Sequence, residues 1–323
     1  MRASSPQSPA LSTEQRPSRP GQTPRPGRAR RSAGVRKHQA PLAWLLITPA
    51  AAGFIVFAAY PALRGVYLSF TEFHVLTPAR WVGLANFHQM FSDSLFWQSL
   101  RVTVYFVALS VVIGILVSLI TAVVLHRLTE STLIRGLMIL PFLISGVVAA
   151  LVWSWMLDPE MGIVNIVLAK LTGHTIEFLG AGSWAVPSLA LISVWKTLGY
   201  NAVLILAGLQ TIPVEFYEAG RLDGASELQM FRRLTVPLLR PILAMVVVLT
   251  VISSFQVFDI VAVTTQGGPA DASMVLPMYI YQTAFTQFNF GYAAAMSLAL
   301  FVMLMIITYL QMRLARANES DLS

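Results

Sequence analysis

Six apolar stretches, each long enough to cross a lipid bilayer, constrain this chain more than any other feature. They cover residues 42–63, 102–125, 136–157, 184–209, 242–263 and 290–310. A helix needs about 20 such residues to traverse the hydrocarbon core. Four hold no charged residue, while 184–209 contains Lys196 and 242–263 contains Asp259. Lipid offers no partner to backbone N–H and C=O groups, so spans of this kind must be helices. The period-two alternation of a barrel is absent. The expected fold is therefore all-α, a polytopic membrane protein with six transmembrane helices. A seventh apolar run, residues 274–285, follows Gly267-Gly268-Pro269. It is about half a bilayer long and reads as a re-entrant or loop-packed segment. Composition excludes a soluble enzyme, since charged residues make up 11% of the chain against about 25% in soluble domains. Cysteine is absent, which removes disulfides, thiolate metal sites and thiol nucleophiles.

The basic residues orient the spans. Cytoplasmic flanks carry an excess of Lys and Arg. Seventeen fall on one side: nine in the first 41 residues, then Arg127, Arg135, Arg221, Arg232, Arg233, Arg240, Arg313 and Arg316. Only Arg80 and Lys170 fall within the opposite loops, with Arg64, Arg101 and Lys196 at or inside span ends. This places both termini in the cytoplasm and the outer loops at 65–101, 158–183 and 264–289. It also accounts for the net charge of +7 without nucleic acid. Residues 1–41 are rich in Pro, Ser and Arg and nearly devoid of apolar residues, so they are expected to form a disordered basic cytoplasmic tail. A cleavable signal peptide is the competing reading. It fits less well, because the leader is long and the apolar run is of span length. Residues 42–314 form the membrane domain, and 315–323 a short cytoplasmic tail.

The connection between the fourth and fifth spans, residues 211–237, carries the most information. Pro213 suits the first turn of a helix. Glu215 and Glu218 lie early in it, where the macrodipole favours negative charge. Gly224 ends it. Ser226-Glu227-Leu228-Gln229 has capping-box spacing and starts a second helix. Pro237 is expected to stop that helix and Pro241 to open the fifth span. A helix–turn–helix of this kind is stiffer than a connector needs to be; an amphipathic interfacial pair without a partner is the plainer reading.

Within this loop, Glu218-Ala219-Gly220, three residues, Gly224, nine residues and Leu234-Thr235-Val236-Pro237 resemble the E-A-A-x(3)-G-x(9)-I-x-L-P signature of the membrane subunits of binding-protein-dependent ABC importers. Gly220, Leu234 and Val236 depart from it while keeping small or aliphatic character. Arg221-Leu222-Asp223-Gly224-Ala225-Ser226, Phe255-Gln256-Val257-Phe258-Asp259 and Gly267-Gly268-Pro269 are similar to the carbohydrate-importer branch, the first permease of the glycerol-3-phosphate and maltose type. The resemblance covers about residues 42 to 314. It implies a permease of the cytoplasmic (inner) membrane of a prokaryote that imports a carbohydrate by alternating access. Its implied partners are a sister permease in a heterodimer, two ATPase subunits and an extracytoplasmic solute-binding protein. It also implies that Glu218, Ala219, Gly220, Arg221, Asp223, Gly224, Ala225 and Pro237 form the loop that couples to the ATPase. ABC permeases for other solutes and ion-driven secondary transporters are the alternatives.

No catalytic residues are visible. A G-x-x-x-x-G-K-[ST] phosphate loop is missing, with no Gly-Lys pair anywhere, so ATP and magnesium are expected on the ATPase, and no cofactor or metal on this chain. His38, His74, His88, His126 and His174 lack metal-ligand spacing. Function is sought where polarity enters the spans, because a charge at the bilayer centre costs about 3 kcal/mol or more. Lys196, Asn201, Gln256 and Asp259 are the candidates to line a solute path. Against that stand a Lys196–Asp259 pair and, for Asn201 and Gln256, helix–helix hydrogen bonding. Trp153, Trp155, Trp184 and Tyr60 lie near span ends, as an aromatic belt requires.

Overall fold

The computed structural model describes residues 36–74, 77–128 and 131–317. Most of the expected basic tail, residues 1–35, and the C-terminal residues 318–323 lie outside the described residues. The chain divides into two units, residues 1–58 and 59–323. In the first, α1 (Arg36–Phe54) leads into a π-turn at Ile55–Ala59. α1 takes in residues 36–41, which composition assigns to the tail. Arg36, Lys37, Gln39 and Ala40 are good helix formers, so the helix starts ahead of the apolar run. The helical stretch Leu45–Ser69 is 25 residues long, and Leu46, Phe54 and Phe57 are exposed.

The second unit opens with α2 (Tyr60–Ser69), then a short antiparallel hairpin, β1 (Thr71–Glu72) and β2 (Arg80–Trp81), with Thr71 opposite Trp81. Next come α3 (Ala85–Ser92), the 35-residue α4 (Ser94–Leu128), α5 (Thr132–Leu143), α6 (Gly146–Met156), α7 (Ile163–Thr172) and the 28-residue α8 (Gly182–Leu209). The segment that follows α8 contains α9 (Val214–Leu222), α10 (Glu227–Met230), a π-turn at Phe231–Thr235 and α11 (Val236–Leu238). The remainder is α12 (Arg240–Phe255), α13 (Asp259–Val263), α14 (Leu276–Tyr281), a π-turn at Gln282–Thr286 and α15 (Phe290–Ala317).

α4 packs along α8, with α12 and α15 alongside. The reason is legible in α4. Ser99, Thr103, Phe106, Ser110, Gly114, Ser118, Ala122 and Leu125 are all buried, and steps of three and four place them on one helix face. Most are small, which allows close backbone approach where lipid supplies no hydrophobic drive. The apolar core is in two parts. One is built around Phe106, Leu189, Ile192, Val261, Leu276 and Met296. The other is built around Ala122, Ala202, Ile205, Leu206, Leu239 and Val246. Between them, Gly199 lies so close to α5 that a Cβ there would fall 1.7 Å from the Met138 carbonyl oxygen.

Two expected spans are not continuous helices. The apolar residues 136–157 form α5 and α6, bent by 92°, with Ile144 and Ser145 extended between them. Pro141 weakens the end of α5 by removing a backbone donor. The expected fifth span breaks at Gln256–Phe258, between α12 and α13. The apolar run 274–285 is the short, largely buried α14 with its π-turn, a segment packed among the spans rather than crossing. Pro241 does sit in the first turn of α12. Pro237 does not stop the helix before it: the chain passes from the π-turn into α11 with Pro237 inside. Pro237 sits in the first turn of α11, where a missing N–H is tolerated.

Candidate functional site

The segment between α8 and α12 is a stiff helix pair. Pro213 is the N-cap of α9 and Glu215 lies in its first turn. The chain turns at Gly224, whose φ of +74° suits glycine. Ser226 and Gln229 form the complete capping box. The Ser226 N–H donates to Gln229 Oε1 at 2.8 Å and the Gln229 N–H to Ser226 Oγ at 3.3 Å. The Ala225 N–H donates to the Gly220 carbonyl at 2.9 Å, tying the turn to α9. Tyr217 and Thr235 share a hydroxyl hydrogen bond of 3.1 Å between the two arms. Gly220 has a local explanation as well. A Cβ there would come within 3.3 Å of Leu234 and 3.4 Å of Met230 Sδ. The outer surface of the pair is exposed. It carries Glu215, Glu218, Arg221 and Asp223 next to Val214, Leu222 and Leu228, with Leu222 89% exposed.

The polar residues of the spans are placed as follows. Asn201, buried in α8, donates to Thr250 Oγ1 of α12 at 3.4 Å, a hydrogen bond between two spans. Gln256 is exposed at the break after α12. Asp259 begins α13, where its Oδ1 accepts from the Ile260 N–H at 3.0 Å. Its other oxygen lies 1.4 Å from where a Cβ on Gly146 would stand. Gly146 is the first residue of α6, so the carboxylate sits at the starts of two helices, where backbone dipoles favour negative charge. Lys196 is half-buried in α8, and no ion pair joins it to Asp259 among the described residues. Trp153 faces inward, edge-on to Trp195 at 5.5 Å, while Trp155 is exposed.

Two further clusters gave no signal in the sequence, because their members are far apart along the chain. Asp93 Oδ2 accepts from Tyr279 at 2.5 Å and from Tyr292 at 2.6 Å, and Oδ1 accepts from the Leu95 N–H at 2.9 Å. Burial works against the Asp93 charge, but these hydrogen bonds outweigh it and hold the carboxyl below the usual carboxylate range. Burial, reinforced by Asp93, pushes the Tyr279 phenol up. The second cluster lies at the helix pair: Glu227 lies 2.6 Å from Arg127 and 3.8 Å from Arg221.

The geometry can be set beside known proteins. A family model described as the binding-protein-dependent transport system inner membrane component matches residues 114–320. The sulfoquinovosyl glycerol transport system permease protein of Agrobacterium fabrum is 34% identical over 282 residues, 86% of this chain and 91% of its own. The trehalose/maltose transport system permease protein of Thermococcus litoralis is 31% identical over 287 residues, 87% of this chain and 96% of its own. Among solved structures, a bacterial ABC transporter involved in the import of the acidic polysaccharide alginate shares the fold. Its TM-score is 0.76 at 23% identity, over 87% of this chain and 96% of that one.

Proposed function

Because the chain belongs to the family of inner membrane components of binding-protein-dependent transport systems, we propose that it imports a carbohydrate-class solute and takes its driving stroke through residues 211–237. The protein is a multi-pass permease of the inner membrane and not an enzyme; ATP hydrolysis belongs to a separate subunit. The names of its relatives, which transport a sulfoquinovosyl glycerol and trehalose or maltose, support the solute class. The working complex pairs this chain with a sister permease, two ATPases that hold ATP and magnesium, and an extracytoplasmic solute-binding protein. Lys196, Gln256 and Asp259 are assigned to the solute path, and Asn201, buried against Thr250, to helix–helix contact. The exposed Gln256 beside a break in its span supports this, because irregular backbone at membrane depth lines a cavity or packs in protein.

The chain crosses six times with both termini in the cytoplasm, counting α5 and α6 as one crossing. Gln98 Nε2 donates to the Asp271 carbonyl at 3.2 Å, and a Cβ on Gly182 would stand 3.3 Å from Ala272. The start of α4 and the start of α8 thus share one end, and the segment between them has to return across the bilayer.

The observation that carries the coupling role is the exposed surface of the helix pair, acidic and apolar together on an internally rigid unit. Exposed apolar side chains of this kind mark a protein contact. The test is copurification of the ATPase with wild type and with Glu218→Lys and Gly224→Pro, alongside uptake. Proline cannot adopt the positive φ at Gly224. Both variants are expected to insert normally and to lose ATPase binding and uptake together. Full binding and full transport in both would overturn the assignment.

A further inference from the structure

The helix pair is joined through the chain to α8 and α12, yet α4 is the span that packs most extensively on α8. α4 has no covalent connection to the pair. Its last turn meets it through one ion pair, Arg127 with Glu227 at 2.6 Å, across 100 positions of sequence. The two Glu227 oxygens face different guanidiniums: Oε2 faces Arg127 of α4 and Oε1 faces Arg221 of α9, 3.8 Å away. Glu227 opens α10, where the Ser226–Gln229 capping box fixes its backbone. Behind the pair lies a cleft of about 330 Å³ walled by Val123, His126, Tyr217 and Phe231. Leu125 of α4 packs in one apolar cluster with Leu209, Ile212 and Leu239 at the root of the segment, but at the cleft the charge contact spans the gap between α4 and the helix pair.

Both partners are about half exposed, and an exposed pair adds little to folding stability. What it can do is fix a direction and a distance. Resting on the coupling role proposed above, we propose that Glu227 is a positioning residue that yokes the helix pair to α4. A displacement of the pair by the ATPase then moves α4 together with α8 and α12. α4 is about 52 Å long at about 1.5 Å per residue, and its far end adjoins Asp93, which gathers Tyr279 and Tyr292. The yoke thus ties the cytoplasmic stroke to the opposite end of the bundle.

The chain lacks cysteine, so two introduced ones can report on the joint. Leu128→Cys at the end of α4 and Arg232→Cys on the π-turn after α10, outside the surface assigned to the ATPase, replace exposed side chains. Spin labels at these sites are measured by pulsed electron resonance in the assembled importer with cysteine-free partners, without nucleotide and after trapping with ATP and vanadate. The expected result is one narrow distance distribution in both states. Glu227→Arg should broaden it, most of all in the trapped state. The swapped pair Arg127→Glu with Glu227→Arg should narrow it again, a rescue that loss of folding would not produce. High salt should broaden the wild type, because exposed charges are screened. A narrow distribution in Glu227→Arg overturns the yoke, as does a swapped pair that assembles normally and stays broad. Full copurification of the ATPase together with full uptake in Glu218→Lys would instead count against the coupling role itself.

Discussion

Gly146 and Gly199 show how single missing side chains set the interior. At Gly146 the space of a Cβ is taken by a side chain, the Asp259 carboxylate, 1.4 Å away; at Gly199 it is taken by backbone, the Met138 carbonyl oxygen, 1.7 Å away. A side chain can rotate out of the way and a helix backbone cannot. Gly146→Ala is therefore expected to cost about 1–3 kcal/mol, as overpacking does, and Gly199→Ala more. The Gly146→Ala loss should be partly relieved in a background of Asp259→Ala, since contacting residues show non-additive effects. Thermal unfolding of the purified complex measures all three, and strict additivity at the 146–259 pair would refute the contact. The sequence marks Asp259 as a charge within a span, and a pair with Lys196 as one resolution. It could not show Gly146 as the neighbour, because the two lie more than a hundred positions apart. Asn201 is the opposite case. A lone amide in an apolar helix has few options, and a helix–helix hydrogen bond is one that the sequence suggests; the structure supplies its partner, Thr250.

Elements were legible where the cause is local. The capping box of α10, the turn at Gly224 and the start of α12 at Pro241 all follow from neighbouring residues, and the structure has each of them. The breaks in the third and fifth apolar runs were not legible, because hydropathy reports burial in lipid and is blind to direction. Nor was the gathering of α3, α14 and α15 on Asp93. That carboxylate ties three elements at one end of the bundle through Tyr279, Tyr292 and the start of α4. Its pKa is depressed in the folded protein. The stabilisation is therefore fully present above the unfolded-state value, about 3.9, and is lost as pH falls through the lower folded value. Asp93→Asn should lower the unfolding temperature at neutral pH, and its gap from wild type should close as the pH drops below about 4. A gap of constant size would show that the charge on Asp93 contributes nothing to the junction.

At the scale of the whole molecule, the weight falls on the bent third span. The proposed orientation rests on the 17-to-2 asymmetry of basic residues, which assumes that 136–157 crosses. A helix pair bent by 92° could instead dip in and return to the same face. The contacts favour a crossing. Gln98 and Asp271 meet at the start of α4, and Gly182 at the start of α8 lies against Ala272. Arg127 at the other end of α4 meets the helix pair. If both helix starts lie outside and α4 ends inside, the chain must come back out before Gly182. Lys170, exposed in α7 between these points, is then extracytoplasmic. The cysteine-free chain makes this directly measurable. Lys170→Cys should react with a membrane-impermeant maleimide on intact cells, whereas Leu222→Cys on the helix pair should react only after the membrane is opened. Protection of Lys170→Cys until lysis would make α5 and α6 a re-entrant pair. It would also invert the sidedness of one half of the molecule relative to the other, against the single cytoplasmic face on which Arg127 meets Glu227.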